Sequence, residues 1–270
     1  MADLLVGLAG SLLIAGAAYW KKSLTISGLA AAVLLGTLMY ALGSLPWFGT
    51  LIAFFITSSA WSKWKSRRKE AAESGYAKSG RRDAGQVWAN GGLGLALCIG
   101  YWLFPHPLWW AAFVGVMATV TADTWATEIG GVSRSAPRSI VSLRTVEPGT
   151  SGGVTPLGLA ASAAGGLFIG AAAWPLLLLS PQGPLPSAAA LCFIGLLGGL
   201  AGSLADSWFG AVCQVMYRCR VCGKEIEKNR HCEAAAVRIR GHALMTNDTV
   251  NALSSAFGGL IALAMWHWIV

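Results

Sequence analysis

The sequence predicts an all-α, polytopic membrane helical bundle of about eight transmembrane helices with polar cytoplasmic-side loops, and three observations predict it. Of 270 residues, 55% are hydrophobic and only 12% charged, about half the ~25% charge usual in soluble domains. The apolar residues fall in runs that approach the ~20 residues a helix needs to cross ~30 Å of hydrocarbon. All 20 Lys and Arg residues lie in alternate connections between those runs, which is the positive-inside pattern. A soluble core of this size has no place for so much apolar surface, so the bilayer is the solvent.

The runs are Leu4–Trp20, Leu24–Ser44, Trp47–Ala60, Val87–Leu103, Pro107–Ala122, Leu157–Leu179, Ala188–Ala205 and Val250–Val270. The first does not resemble a cleaved signal peptide: no basic residue precedes it, it carries Asp3, and Lys21-Lys22 follow it. It reads as a span with its N-terminus outside. Trp47–Ala60 is short, which fits a tilted or re-entrant segment. Trp20, Trp47, Trp61, Trp109, Trp110, Trp266 and Trp268 stand near run ends, where an aromatic belt belongs. The inside segments are then 21–22 and the loops 61–86, 123–156 and 206–249; the outside connections near 45–46, 104–106 and 180–187 hold no Lys or Arg. The whole chain, 1–270, reads as a single membrane domain of a bacterial-type inner membrane. The net charge of +8 is explained by this asymmetry and by attraction to anionic lipid head groups or phosphorylated ligands, not by nucleic acid.

Glycine rows four residues apart (Gly166 and Gly170, Gly195 and Gly199, Gly198 and Gly202) suit close helix packing. Two segments echo each other, Ala122-Asp123-Thr124-Trp125 and Ala205-Asp206-Ser207-Trp208. Gly115, Thr119 and Asp123 share one helix face, and Gly198, Gly202 and Asp206 share another. Small-residue stripes seek a neighbouring helix, so both carboxylates are expected to point into the bundle. A carboxylate inside a membrane span is costly and is a functional candidate; capping or a single ion pair is the plainer reading. Asn247, Asp248 and Asn251 form a third polar face at the start of the last span, which an N-cap explains only in part. Arg81, Arg82, Gln86 and Asn90 form a fourth, since Arg82, Gln86 and Asn90 recur every four residues. Glu128, Arg134, Arg138 and the loop Gly149-Thr150-Ser151-Gly152-Gly153-Val154 lie between. Glycine backbone can approach an anion and arginine can grip phosphate. The loop lacks the Lys-Ser/Thr of a P-loop.

Cys219, Cys222, His231 and Cys232 offer four soft ligands in a polar segment, a candidate zinc-binding subelement over 219–232. Adjacent His231 and Cys232 are awkward for two tetrahedral bonds, and reduced thiols are the competing reading.

The ordered set Arg-Arg-Asp…Gln-Val…Ala-Asn-Gly, Ala-Asp-Thr-Trp-Ala-Thr-Glu-Ile-Gly, Pro-Arg, Gly-Thr-Ser-Gly-Gly-Val, Gly-Ser-Leu-Ala-Asp-Ser and Asn-Asp-Thr-Val-Asn resembles an integral membrane family that includes the phytyl-phosphate kinases of tocopherol synthesis. The likeness runs from about residue 25 to the C-terminus. It implies transfer of a phosphoryl group from a nucleoside triphosphate, CTP or ATP, to an isoprenoid monophosphate lipid. On that reading Asp123, Asp206 and Asp248 are catalytic, and with Glu128 they bind Mg²⁺, which favours hard oxygen ligands. Arg81, Arg82, Gln86, Asn90, Arg138, Thr150, Ser151, Gly152, Gly153, Asn247 and Asn251 bind substrate phosphates. Asp123 and Glu128 would diverge by about 140° on one straight helix, so the helix is expected to end or bend there if both hold one metal. A transporter or channel for a small anion or lipid phosphate is the alternative, because paired carboxylates and internal echoes also occur in transporters. A related lipid nucleotidyltransferase is a third reading.

Overall fold

The computed structural model describes residues 1–64, 73–78, 80–180 and 185–269. Parts of the 61–86 loop (65–72 and 79), part of the 180–187 connection (181–184), and Val270 lie outside the described residues. Among the described residues there are seven helices: α1 (Ala2–Trp20), α2 (Ile26–Lys63), α3 (Ala84–Leu103), α4 (Pro107–Gly130), α5 (Pro156–Leu179), α6 (Ala188–Val212) and α7 (Asn247–Ile269). Five of them, α1, α2, α5, α6 and α7, are long and apolar enough to cross a membrane.

Helix starts follow local chemistry. Thr25, Thr155 and Ser187 accept hydrogen bonds from the backbone N–H three residues on, at 3.1, 3.0 and 3.1 Å. Such bonds satisfy a donor that has no partner within its own helix. Pro107 and Pro156 occupy the first helical turn, where a missing N–H costs nothing.

Two expected runs are merged in α2. The break between them is one residue, Ser44, with φ +60° and ψ −161°, and Pro46 opens the next turn. The chain folds back on itself there. A Cβ placed on Gly36 would lie 3.2 Å from Phe48 Cε2, and Phe48 stacks edge-on to Tyr40 with ring centroids 5.6 Å apart. The expected 45–46 connection is therefore a single reversal and not a loop.

Helix α4 is the centre. Every residue from Trp110 to Ala122 is buried, the pattern of a helix enclosed on all sides, and it packs against α2, α3, α5, α6 and α7. The aromatic belt is thereby corrected for three residues. Trp47, Trp110 and Trp266 belong to the core, Trp47 and Trp110 packing on Phe113, while Trp20 and Trp268 are exposed as expected.

Glycine rows set the helix spacing. A Cβ on Gly195 would strike the Gly166 carbonyl and lie 3.0 Å from Gly170 N, and one on Gly199 would lie 2.8 Å from Gly166 Cα. The α5–α6 backbones are thus in contact, as small residues permit in lipid.

Short antiparallel strands depart from the all-α expectation. β1 (Arg138–Ser139) pairs with β2 (Gly153–Val154) in the connection between α4 and α5. Between α6 and α7, β3 (Met216–Arg218) pairs with β4 (Glu225–Ile226) and β7 (Val237–Arg240), and β5 (Arg230–His231) pairs with β6 (Ala234–Ala235). The 213–246 segment has too little apolar sequence for a span, so its backbone groups pair within itself.

Candidate active site

A cavity of about 750 Å³ opens at the end of the bundle that carries the basic loops, within the ~300–1,000 Å³ usual for ligand sites. Its floor follows from the two small-residue stripes. They face each other: a Cβ on Gly202 would overlap Thr119, and one on Gly198 would lie 3.3 Å from Gly115 Cα. Thr119 Oγ1 donates to the carbonyls of Gly115 and Gly198 at 2.9 and 3.1 Å. Helix α7 closes the triangle, since the Gly258 carbonyl lies 3.1 Å from a Cβ on Gly198. One turn beyond this contact stand Asp123 on α4 and Asp206 on α6, both lining the cavity. Ser254 on α7 donates to Asp206 Oδ2 at 2.8 Å. Neither aspartate forms an ion pair among the described residues.

Both aspartates lie inside helices, not in the loops expected to begin at 123 and 206. α4 continues to Gly130 and α6 to Val212, because polar side chains turned into a cavity do not end a helix. α4 runs on without a break between Asp123 and Glu128, so the bend expected if both held one metal is not present. Glu128 lines the cavity on another face, accepting from Ser62 Oγ at 2.6 Å. Asp248 is held by Lys78 Nζ at 2.5 Å, and Lys78 also reaches Asp83 Oδ2 at 3.0 Å.

Gln86 has a second role the stripe did not reveal. It completes a capping box with Asp83, whose Oδ1 accepts from Gln86 N at 2.9 Å while Gln86 Oε1 accepts from Asp83 N at 3.3 Å. The main chain of Arg82 is clipped to the start of α2, its N–H on Ser23 O at 2.9 Å and its carbonyl accepting from Thr25 N at 3.0 Å. The Arg82 guanidinium lies 5.5 and 5.7 Å from the ring centroids of Phe54 and Phe55. Its NH1 is buried with no hydrogen-bond partner among the described residues, as are Ser59 Oγ and Ser162 Oγ.

Of the sequence-derived residues, Arg82, Gln86, Asn90, Asp123, Glu128, Thr150, Ser151, Gly152, Gly153, Asp206, Asn247, Asp248 and Asn251 line the one cavity. Arg81 and Arg138 are exposed and outside its lining. The glycine loop packs on α6: Gly152 has φ +83°, and a Cβ there would lie 2.8 Å from Ser207 O and 2.9 Å from Ala211 Cα. Cys219, Cys222, His231 and Cys232 converge elsewhere, with their ligand atoms all within 4.8 Å of one another.

A polar wall of the cavity had no counterpart among the sequence-derived candidates. Ser151 Oγ donates to Gln214 Oε1 at 2.7 Å, Gln214 Nε2 to Glu227 Oε1 at 2.9 Å, and Ala77 N to Glu227 Oε2 at 3.1 Å. Burial pushes the Glu227 carboxyl above its ordinary value, and the charge of Asp248 adds to this. Burial, then the charge of Glu227, raises the Tyr76 phenol. Lys22, Lys63, Lys78, Tyr76, Gln214 and Glu227 all line the cavity. The Asp-x-x-Gln pair was a legible signal for the capping box; the wall had none, because its members are brought together only by the fold.

A narrow apolar groove adjoins the cavity, lined by Ile14, Leu35, Phe48, Leu51, Phe54 and Phe55, and the two share Arg82, Gln86 and Asn90. One end of this site is ionic and the other greasy.

With this geometry in hand, residues 9–259 match the family described as integral membrane protein DUF92. The chain belongs to that family. It is 30% identical to Protein PGR of Arabidopsis thaliana over 90% of this chain and 89% of that one. It is 32% identical to an uncharacterized membrane protein of Synechocystis over 70% and 74% of the two chains. Protein VTE6, chloroplastic, of Arabidopsis thaliana is 26% identical over 95% and 69%. No solved structure matches.

Proposed function

We propose that this protein is an isoprenoid monophosphate kinase of the inner membrane, crossing it about eight times with its active site facing the cytoplasm. The observation that carries the reading is the junction of ionic cavity and apolar groove at Arg82, Gln86 and Asn90. An amphiphilic substrate with a phosphate head and a hydrocarbon tail fits that junction; a fully polar one leaves the groove without purpose. Family membership and the ordered motifs support the same chemistry.

Phosphoryl transfer depends on positioning and charge neutralisation more than on covalent catalysis. The prenyl phosphate oxygen attacks the γ-phosphorus of a nucleoside triphosphate, ATP or CTP, and the bond to the bridging β-oxygen breaks. A prenyl diphosphate and a nucleoside diphosphate result. The Arg82 guanidinium, which lies over the Phe54 and Phe55 rings and has a buried N–H with no partner among the described residues, would hold the lipid phosphate. Lys22, Lys63 and the backbone of Thr150–Gly153 would hold the nucleotide phosphates. Asp123 and Asp206 present hard oxygens with no basic partner among the described residues, the donor set Mg²⁺ prefers, and Ser254 fixes the Asp206 rotamer. Magnesium, when bound, would neutralise charge on the phosphate oxygens in transfer. Asp248, tied to Lys78, would serve by placing that lysine.

The test is purified protein in detergent with Mg²⁺, ATP or CTP, and a panel of prenyl monophosphates of graded length. Diphosphate formation is expected, and Asp123→Asn and Asp206→Asn should each lower turnover at least ~100-fold, the scale of losing an electrostatic transition-state contact. No product from any pair overturns the kinase. Full activity in both folded variants removes the carboxylate assignment.

A further inference from the structure

We infer that Cys219, Cys222, His231 and Cys232 form a closed structural site for one zinc ion, which staples the loop that walls the cavity. The site comes from two turns that meet. In the first, β3 runs into Cys219 and β4 returns after Gly223, whose φ of +74° makes the tight turn. Cys219 N donates to Lys224 O at 3.0 Å, Gly223 N to Cys219 O at 3.0 Å, and Val221 N to the Cys219 sulfur at 3.4 Å. An N–H aimed at the sulfur favours a thiolate there.

The second turn removes the objection raised by adjacent His231 and Cys232. They are in the β5–β6 hairpin, which turns through Cys232 and Glu233 at φ +48° and +60°. Two successive positive φ values make the tightest hairpin turn, normally Asn-Gly. Here they swing the Cys232 side chain to the same side as the His231 ring. His231 Nδ1 consequently lies 3.4 Å from the Cys222 sulfur and 3.2 Å from the Cys232 sulfur. Tetrahedral zinc, at ~2.3 Å to sulfur and ~2.0–2.1 Å to nitrogen, separates its ligands by about 3.8 Å (S to S) and about 3.5 Å (S to N). The four donor atoms, all within 4.8 Å of one another, already approach that shell. A disulfide would use two sulfurs and leave the third and the imidazole without purpose.

Three thiolates and one imidazole leave no open coordination position, so the site is not catalytic. None of the four residues lines the cavity. Their effect is mechanical. The metal joins the β3–β4 turn to the β5–β6 hairpin, and between these lies Glu227, which receives Gln214 and Ala77 at the cavity wall. Zinc binding thus holds the wall, independently of what the cavity turns over.

The full chain, purified in detergent through a tag that binds no metal, is analysed by inductively coupled plasma mass spectrometry. One zinc per chain is expected, falling at least tenfold in Cys222→Ser and in His231→Ala. Because either variant could misfold, the parent is also loaded with cobalt, which should give the absorption of tetrahedral Co(II) with thiolate charge transfer. Substoichiometric zinc in folded parent protein, another metal in its place, or zinc unchanged in both variants overturns the assignment. So does cobalt without thiolate absorption.

Discussion

Moving one carbon between two helices tests whether the stripe contact positions the carboxylates. A Cβ on Gly202 would sit 2.7 Å from Thr119 Cβ, where non-bonded carbons need ~3.5–4.0 Å. In Gly202→Ala, α4 and α6 must part by about 1 Å. Thr119 cannot yield, because its hydroxyl is held by Gly115 and Gly198 and it is fully buried. Overpacking of this kind costs about 1–3 kcal/mol. A shift of ~1 Å one helical turn from Asp123 and Asp206 is also enough to cost on the order of 100-fold in turnover. Thr119→Gly removes the obstructing atoms, at about 1 kcal/mol for the lost hydrogen bond and about 1 kcal/mol for backbone freedom. In that background Gly202→Ala should cost close to nothing, leaving a coupling energy of about 1–3 kcal/mol. Gly16→Ala, where a Cβ meets nothing within 4 Å, serves as the neutral control. Stability is followed by tryptophan fluorescence during unfolding in mixed micelles, and turnover by prenyl diphosphate formation. If Gly202→Ala costs the same with Thr119 present or absent, the two stripes are not in contact and the argument for a shared carboxylate pair fails.

Two further outcomes follow from the wall and the third helix. Ser254→Ala removes the 2.8 Å hydrogen bond to Asp206, and charge-assisted bonds are worth ~1.5–3 kcal/mol; turnover should drop about tenfold or more with a higher Mg²⁺ requirement, and an unchanged Mg²⁺ titration would show that Ser254 does not orient Asp206. Glu227 has its carboxyl raised from an ordinary value near 4.5, chiefly by burial. The folded protein therefore binds that proton more tightly than the unfolded chain, and stability declines as pH climbs from about 4.5 through the raised value. Glu227→Gln should flatten the fall in Tm between acidic and mildly alkaline pH, measured by thermal unfolding of both proteins across that range; parallel slopes would refute the reading.

Much of the candidate site was legible because helices convert spacing into direction. Gly115, Thr119 and Asp123, and likewise Gly198, Gly202 and Asp206, recur every four residues, so each aspartate's face could be read before any contact was known. Asn247 and Asn251 were readable for the same reason. Of the pair Arg81-Arg82, only Arg82 shares the four-residue period of Gln86 and Asn90, and the fold clips Arg82 into the bundle and leaves Arg81 in solvent. Helix ends were misplaced at 123 and 206 because a polar residue looks like a terminus in a hydropathy trace whether it faces water or a cavity.

The sequence by itself determined the solvent, the helical class, the small-residue faces that let α4, α5 and α6 touch, and the chemistry of the four soft ligands. All are local properties: hydropathy, period and residue type. Only tertiary structure decided that α4 is the enclosed centre, that Asp248 is tied to Lys78, that Ser151, Gln214 and Glu227 form one wall, and that His231 and Cys232 converge with Cys219 and Cys222. Those relations join residues up to 170 positions apart, as in Lys78 with Asp248. They arise from which backbones can approach closely enough to bring their side chains together.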